Sequence, residues 1–260
     1  MCTELGEFTV DLDGRFSSIR TMETNLGNFV CDIMVASTEA DFALINSGTF
    51  RSDTLHPAGP FTIKDLLLIL PMIDPLVLVE VSGTCNSYGK LVRQLEKKLY
   101  ILDIDISITI LAHAKVDRSN LIHLGDQILN CLENGVSKWP KLEGRFPQVS
   151  GISFSFDGNK PSGERVQKKS VKIGDEFIFP ENNGIQCEET TTYRMVTKAY
   201  LAQGKDGYPC LLNGKVFIDE ENGPLLRFAV QNHFEAIKIR KEKTTIASVH
   251  HQSLITTSRR

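Results

Sequence analysis

NLGNFVCDIMVASTEADFALINSGTFR, residues 25–51, holds both kinds of local structure from which this chain is built. Leu26, Phe29, Val30, Ile33 and Met34 recur at spacings of three and four, which predicts an amphipathic helix over 25–37. Asp41 to Asn46 follows, with four apolar residues between polar ends, and reads as a short buried strand. It runs into Ser47-Gly48-Thr49, a loop of small residues, and then Arg51.

Outward from that stretch the mixture continues. Residues 7–22 alternate loosely around an Asp13-Gly14 turn, as a short extended entry segment. Thr62, with Asp65 three residues on, predicts an N-cap for a helix over 63–69 that Pro71 stops. Pro75 to Ser82 is the strongest strand of the first half. In the second half a short helix runs from Asp126 to Gly135. Strands are expected over 149–156, 171–179 and 193–200, with turns at Asp157-Gly158-Asn159 and Asn182-Asn183-Gly184, and a last helix over 224–241. No internal repeat of fixed period is present. The fold class is α/β of the α+β type, a mixed sheet flanked by helices.

The chain has 260 residues, 41% hydrophobic and 23% charged, with a formal net charge of −3. This excludes a disordered or low-complexity chain and allows a sizeable core. The longest apolar run, Leu66 to Leu70, is far short of a membrane span of about 18 residues, so no membrane partner is expected. Without a basic field, nucleic acid is not expected either. Six cysteines at 2, 31, 85, 131, 187 and 210 form no C-x-x-C pair and read as buried thiols rather than a disulfide framework. No signal peptide or C-terminal apolar tail is visible, so the expected location is cytoplasmic if Met1 is the true start.

A complete catalyst is hard to assemble from these residues. The histidines, at 56, 113, 123, 233, 250 and 251, form no H-x-x-x-H pair, and G-x-S-x-G is absent. No metal site or cofactor is expected in the chain itself. Two loops suit binding. Asn46-Ser-Gly-Thr-Phe-Arg51 would free backbone N–H groups for an anionic oxygen and offer a guanidinium to clamp it; taken alone, an ordinary tight turn with a surface arginine is the favoured reading. Tyr200 to Tyr208 brings a ring, two glycines and Asp206 together; a polar hairpin loop is the plainer alternative.

Taken in order, five motifs carry a resemblance: Glu23-Thr-Asn-Leu-Gly-Asn28, Asn46-x-Gly48-x-x-Arg51, Leu70-Pro71, Gly144-x-Phe146-x-Gln148-x-Ser150-Gly151 and Tyr200-Leu-Ala-x-Gly204-x-Asp206-Gly-Tyr208. Over about residues 15–83 and 126–237 the chain resembles the C-terminal, substrate-binding domain of the 5′-nucleotidase and UDP-sugar hydrolase family. In that family a separate N-terminal metallophosphoesterase domain carries the divalent metals and the hydrolytic water. The C-terminal domain grips the substrate and delivers its phosphate. The resemblance implies a phosphoric-monoester hydrolase at family level, with this chain as its specificity half and catalytically inactive alone. Arg20 and Arg51 resemble the arginines that reach the phosphate, Asn46 the asparagine on the base and Asp206 the carboxylate on the ribose hydroxyls. Gly48 stands in the loop between them, and Tyr200 matches one of two aromatic residues that sandwich the base. The implied ligand is a nucleotide or related phosphomonoester such as a sugar phosphate; a stand-alone, non-catalytic binding module is the alternative.

The chain also departs from the pattern. Met72 stands where the second aromatic residue is usual, Ser47 replaces a glycine, and Lys205 replaces another. Residues 84–125 have no counterpart. They contain a basic helix-like stretch, 88–102, and Ile104, Ile106, Ile108 and Ile110 alternating with polar residues. They read as an insertion or retained intron between Ser82-Gly83 and Asp126-Gln127, its isoleucines an aggregation-prone strand. The expected organisation is a linker remnant over 1–19, a domain over 20–237 interrupted by 84–125, and a basic, partly disordered tail over 238–260.

Overall fold

In the computed structural model, which describes residues 3–82, 127–179, 192–212 and 214–246, the chain begins with β1 (Glu4–Phe8), β2 (Leu12–Asp13) and a single helical turn, α1 (Phe16–Ile19). Then come α2 (Asn25–Thr38), β3 (Phe42–Asn46), a 3-10 turn at Ser47–Thr49, β4 (Leu55–His56), β5 (Gly59–Thr62), α3 (Ile63–Ile69) and β6 (Leu76–Ser82). The second half holds α4 (Gln127–Val136), β7 (Pro147–Ser150), β8 (Ile152–Ser153), β9 (Lys172–Ile173) and β10 (Glu176–Phe177). After these follow β11 (Thr192–Lys198), α5 (Ala199–Ala202), β12 (Val216–Ile218) and α6 (Leu226–Ile246).

Five strands form a mixed sheet in the order β12-β6-β11-β3-β7. β11 runs parallel to β3, with Met195 opposite Phe42, and every other neighbouring pair is antiparallel. Side chains that alternate along a strand face opposite sides, and here both sides are apolar. Ala43, Ile45, Leu76 and Leu78 join one core with α2, α3 and α6, while Phe42, Leu44, Val77, Val79 and Val81 join a second with α4. This is why β3 and β6 read as continuous apolar runs rather than alternating ones.

Two helices, α2 and α3, start at side-chain caps that the sequence provides. Gly27 N donates to Thr24 Oγ1 at 3.1 Å at the head of α2. At α3, Asp65 N donates to Thr62 Oγ1 at 3.3 Å and Thr62 N to Asp65 Oδ2 at 2.9 Å, a reciprocal capping box.

Several expectations need correction. Residues 4–19 are not a linker: β1 pairs with β5, and Leu5, Leu12 and Ile19 are buried in the first core. Phe8 stacks edge-on against Phe29, Phe61 and Phe234, which ties the amino-terminal strand to α2, β5 and α6. The strand expected over 149–156 breaks at Gly151, whose φ of +75° sets it against the Asp41 carbonyl, where a Cβ would approach to 2.5 Å. The strand over 171–179 is two short strands hinged at Gly174 (φ +58°). Tyr200 lies on α5 rather than on a strand. β11 pairs as far as Lys198, opposite Leu76 at the start of β6; Ala199 N still donates to the Pro75 carbonyl at 2.9 Å, but Pro75 has no N–H to return, and the chain enters a helical turn there. The helical pattern does not stop at 241: α6 continues to Ile246, and Lys238 Nζ donates to the Glu4 carbonyl at 3.1 Å, so the expected tail begins inside a helix. The readings at 88–102, at 104–110 and at Asn182-Asn183-Gly184 lie outside the described residues.

The sheet topology selects one end of the sheet for a site. β3 and β11 finish there at Asn46 and Lys198, and β6 and β7 begin there at Leu76 and Pro147, as the pairings Lys198 with Leu76 and Asn46 with Pro147 require.

Candidate functional site

Beyond that sheet end is a cavity of about 340 Å³, a volume suited to a small organic ligand. Arg20, Asn46, Gly48, Arg51, Met72, Tyr200 and Asp206 all line it, so the structure brings together every site residue expected from the sequence. Asp74, Gly144 and Lys198 complete the lining.

Arg20 is the C-cap of α1, in the corner between α1 and α2. Gln148 on β7 holds that corner from beneath. Its Nε2 donates to the carbonyls of Ile19 at 2.9 Å and Met22 at 2.7 Å, while its Oε1 accepts from Thr24 N at 3.1 Å. Gly27 has no side chain for the same reason, since a Cβ there would overlap the Gln148 amide. The Arg20 guanidinium lies 3.7 Å over the Phe16 ring and donates from Nη1 to the Leu142 carbonyl at 2.9 Å. Among the described residues its Nε is buried without a partner. Burial, and then the nearby Arg51 charge, lower its pKa from the usual arginine value.

Arg51 follows the 3-10 turn, its backbone N–H held by the Ile69 carbonyl at 2.9 Å. Among the described residues its guanidinium has no hydrogen-bond or ion-pair partner. Two neighbouring arginines repel, and an anion bound between them would relieve that repulsion through charge-assisted bonds. The turn itself depends on glycine: Gly48 N donates to the Gly144 carbonyl at 2.7 Å, and a Cβ on Gly48 would come within 3.1 Å of the Gly144 Cα.

Asn46 and Asp206 meet across the cavity, Asn46 Nδ2 donating to Asp206 Oδ2 at 2.7 Å. Thr49 Oγ1 donates to Asn46 Oδ1 at 2.9 Å and fixes the amide orientation. Asp206 adopts φ 54°, a left-handed conformation that Asp tolerates, between Gly204 and Gly207 at φ +74° and +86°. The loop is anchored by Tyr208, fully buried, whose hydroxyl donates to the Arg145 carbonyl at 2.8 Å; burial pushes that hydroxyl's pKa well up.

Lys198 was not among the expected site residues. It is buried at the end of β11, 3.4 Å from Asp74 Oδ2, with its ammonium 5.0 Å from the centre of the Tyr200 ring. Burial lowers its pKa, and Asp74 partly opposes that. Lys205, the lysine the loop sequence drew attention to, is exposed and does not line the cavity. Tyr200 and Met72 stand at the mouth, 45% and 54% exposed. No local signal marks Lys198 or Asp74, since they are 124 residues apart; β11 also carries Thr192, Arg194 and Thr197, so its lysine does not stand out. Gly144 and Gln148 were present in the motif series without an assigned role.

Among the described residues no group of three or more His, Cys, Asp or Glu is placed to hold a metal ion, and no helix is long and apolar enough to cross a membrane.

The chain is 29% identical over 209 residues to the trifunctional nucleotide phosphoesterase protein YfkN of Bacillus subtilis (strain 168), covering 79% of this chain and 11% of that protein. It is 23% identical over 216 residues to a 5′-nucleotidase of Homo sapiens, covering 79% of this chain and 30% of that one. The structure of a 5′-nucleotidase precursor from Thermus thermophilus superimposes with a TM-score of 0.63 at 27% identity, over 91% of this chain and 37% of the other. The chain thus spans under a third of the length of these two curated relatives. The family described as "5′-nucleotidase, C-terminal domain" matches residues 4–85 and 122–213, two blocks that contain every cavity residue named above. By that match, and by the convergence of its motif residues on one cavity, the chain belongs to the 5′-nucleotidase C-terminal domain family.

Proposed function

We propose that this chain is the substrate-gripping half of a 5′-nucleotidase-type phosphohydrolase, holding a nucleotide or related phosphomonoester for metal-dependent hydrolysis in nucleotide catabolism. The observation that carries the reading is the convergence of Arg20, Arg51, Asn46, Asp206 and Tyr200, from separate parts of the chain, on one cavity. Arg20 and Arg51 supply the positive wall for the phosphate. Asp206 Oδ2 accepts from Asn46 but leaves carboxylate capacity for vicinal hydroxyls, and Asn46 keeps one amide N–H to give to a base. The Tyr200 ring offers a stacking surface. The divalent metals and the attacking water would belong to a metallophosphoesterase domain outside this chain, where they activate water and neutralise phosphate charge. The part played by this chain is orientation, which alone can lower a barrier by several kcal/mol.

A sugar phosphate is the second ligand to consider, because Met72 stands with Tyr200 at the cavity mouth and offers a thioether in place of a second ring. Thermal denaturation of the 260-residue chain with adenosine 5′-monophosphate, ribose 5-phosphate or inorganic phosphate distinguishes them. Stabilisation by the nucleotide, about 2.7 kcal/mol at a hundredfold excess over Kd, supports the nucleotide reading. Equal stabilisation by ribose 5-phosphate moves the assignment to sugar phosphates. No stabilisation by any of the three contradicts the binding role.

A further inference from the structure

Cys131 Sγ and Cys210 Sγ lie 3.4 Å apart, and both are thiols. Their sulfurs need to close by a little over 1 Å to reach the roughly 2.05 Å of a disulfide. Cys131 is buried on α4, whereas Cys210 is only partly buried, in the 3-10 turn Pro209–Leu211 that follows the Asp206 loop. The two backbones are held together independently of the sulfurs, because Gln127 Nε2, at the head of α4, donates to the Cys210 carbonyl at 3.1 Å. Cys31 offers a contrast: it is completely buried in the other core, and burial raises its thiol pKa well above the usual value.

We propose that Cys131 and Cys210 form a reversible thiol–disulfide pair, a modification site that ties the Asp206 loop to α4. Cys210 is the entry point because it alone of the two reaches solvent. As a thiolate it attacks one sulfur of a disulfide-bearing oxidant such as oxidised glutathione, forming a mixed disulfide and releasing one glutathione thiol. Cys131 then gives up its proton to water and attacks Cys210 Sγ. The Sγ–Sγ bond forms, the mixed disulfide breaks, and the second glutathione thiolate leaves and takes up a proton. In sum the two cysteines lose two protons and two electrons, and the oxidant gains both. The bond would fasten the loop bearing Asp206 and Tyr208 to a core helix.

The test is to equilibrate the full 260-residue chain in oxidised and reduced glutathione, quench with acid, and measure intact mass and the peptides of a non-reducing digest. The expected result is loss of two hydrogen masses and a peptide linking Cys131 to Cys210, reversed by dithiothreitol. Cys131→Ser should then accumulate a glutathione adduct on Cys210, and Cys31→Ser should behave as wild type. A stable glutathione adduct on Cys210 of the wild-type chain, a link from either cysteine to Cys2, Cys85 or Cys187, or no modification at all overturns the proposal. Because the wild-type chain provides the primary readout, a variant that fails to fold does not obscure the outcome.

Discussion

Asn46 and Asp206, 160 residues apart in the chain, are joined by a 2.7 Å hydrogen bond across the cavity, with Thr49 fixing the amide from behind. Neither residue needs to move far to meet a ligand, so the cost of ordering them is met in folding rather than in binding. Asn46→Ala and Asp206→Ala should therefore each weaken binding of adenosine 5′-monophosphate by about 1–3 kcal/mol. In a double-mutant cycle the two losses should be non-additive, since they share a bond. Strict additivity, measured by titration calorimetry, would mean that the pair does not act together on the ligand.

Gln148 is the support beneath Arg20. Gln148→Leu keeps the volume but leaves the Ile19 and Met22 carbonyls and the Thr24 N–H without partners. The expected loss of stability is about 2–4 kcal/mol by urea denaturation, together with weaker nucleotide binding, because Arg20 is released from its corner. Unchanged denaturation would contradict the role given to Gln148.

Acid should weaken the fold in two stages. His56 and His233 have pKa values lowered from 6.5 by burial, so the folded state resists their protonation. Their contribution is complete above about pH 6.5 and declines as pH falls through the lower folded values. Asp13 comes next: its bidentate bond to Arg15, in which Nη2 reaches Oδ2 at 2.7 Å, lowers its pKa from 3.8 to about 2. Asp65 is also lowered: burial raises its pKa, and the Thr62 hydrogen bonds outweigh that. Both contributions are present above about pH 3.8; that of Asp13 is lost as pH falls toward 2, and that of Asp65 as pH falls through its own lowered value. For Asp13, a partly exposed pair, the loss is on the order of 1 kcal/mol. Thermal melts of His56→Asn should lose part of the first stage, and those of Asp13→Asn part of the second. Melts independent of pH from about 7 to about 5 would contradict the first stage.

Ser82 N donates to Gln127 Oε1 at 2.9 Å, so the two edges of the segment 84–125 touch in the folded domain. The family match also omits 86–121. Deleting 84–125 and joining the edges through a short glycine–serine link should leave a soluble chain that binds nucleotide as the full chain does. A deletion variant that fails to fold, beside a full chain that folds, would rule out an insertion.

Much of this fold is legible in the sequence because its signals are local. The three-and-four spacing of Leu26 to Met34 marks α2, Thr62 and Asp65 cap α3, and the run 76–82 is apolar because both faces of β6 are buried. What escapes is set by distant partners. Gly151 breaks a plausible strand because the Asp41 carbonyl sits where its side chain would be. Tyr200 leaves the strand because the neighbouring strand begins only at Leu76, and Pro75 before it, far away in sequence, has no N–H to carry the ladder on. The cavity shows the same division. Arg51, Asn46 and Asp206 stand in recognisable loops, whereas the Lys198–Asp74 pair exists only once β11 and the loop before β6 are side by side.

A phosphorylated nucleoside bound in this cavity would sit between its two arginines and Asp206. Titration calorimetry of adenosine 5′-monophosphate into the 260-residue chain, and into Arg51→Ala and Asp206→Ala, is the decisive measurement of that binding. The expected result is one-to-one saturable binding to the wild type, a loss of at least tenfold, about 1.4 kcal/mol, in each variant, and weaker wild-type binding as salt is raised. Wild-type affinity retained in both variants, or no heat from the wild-type chain, would contradict it.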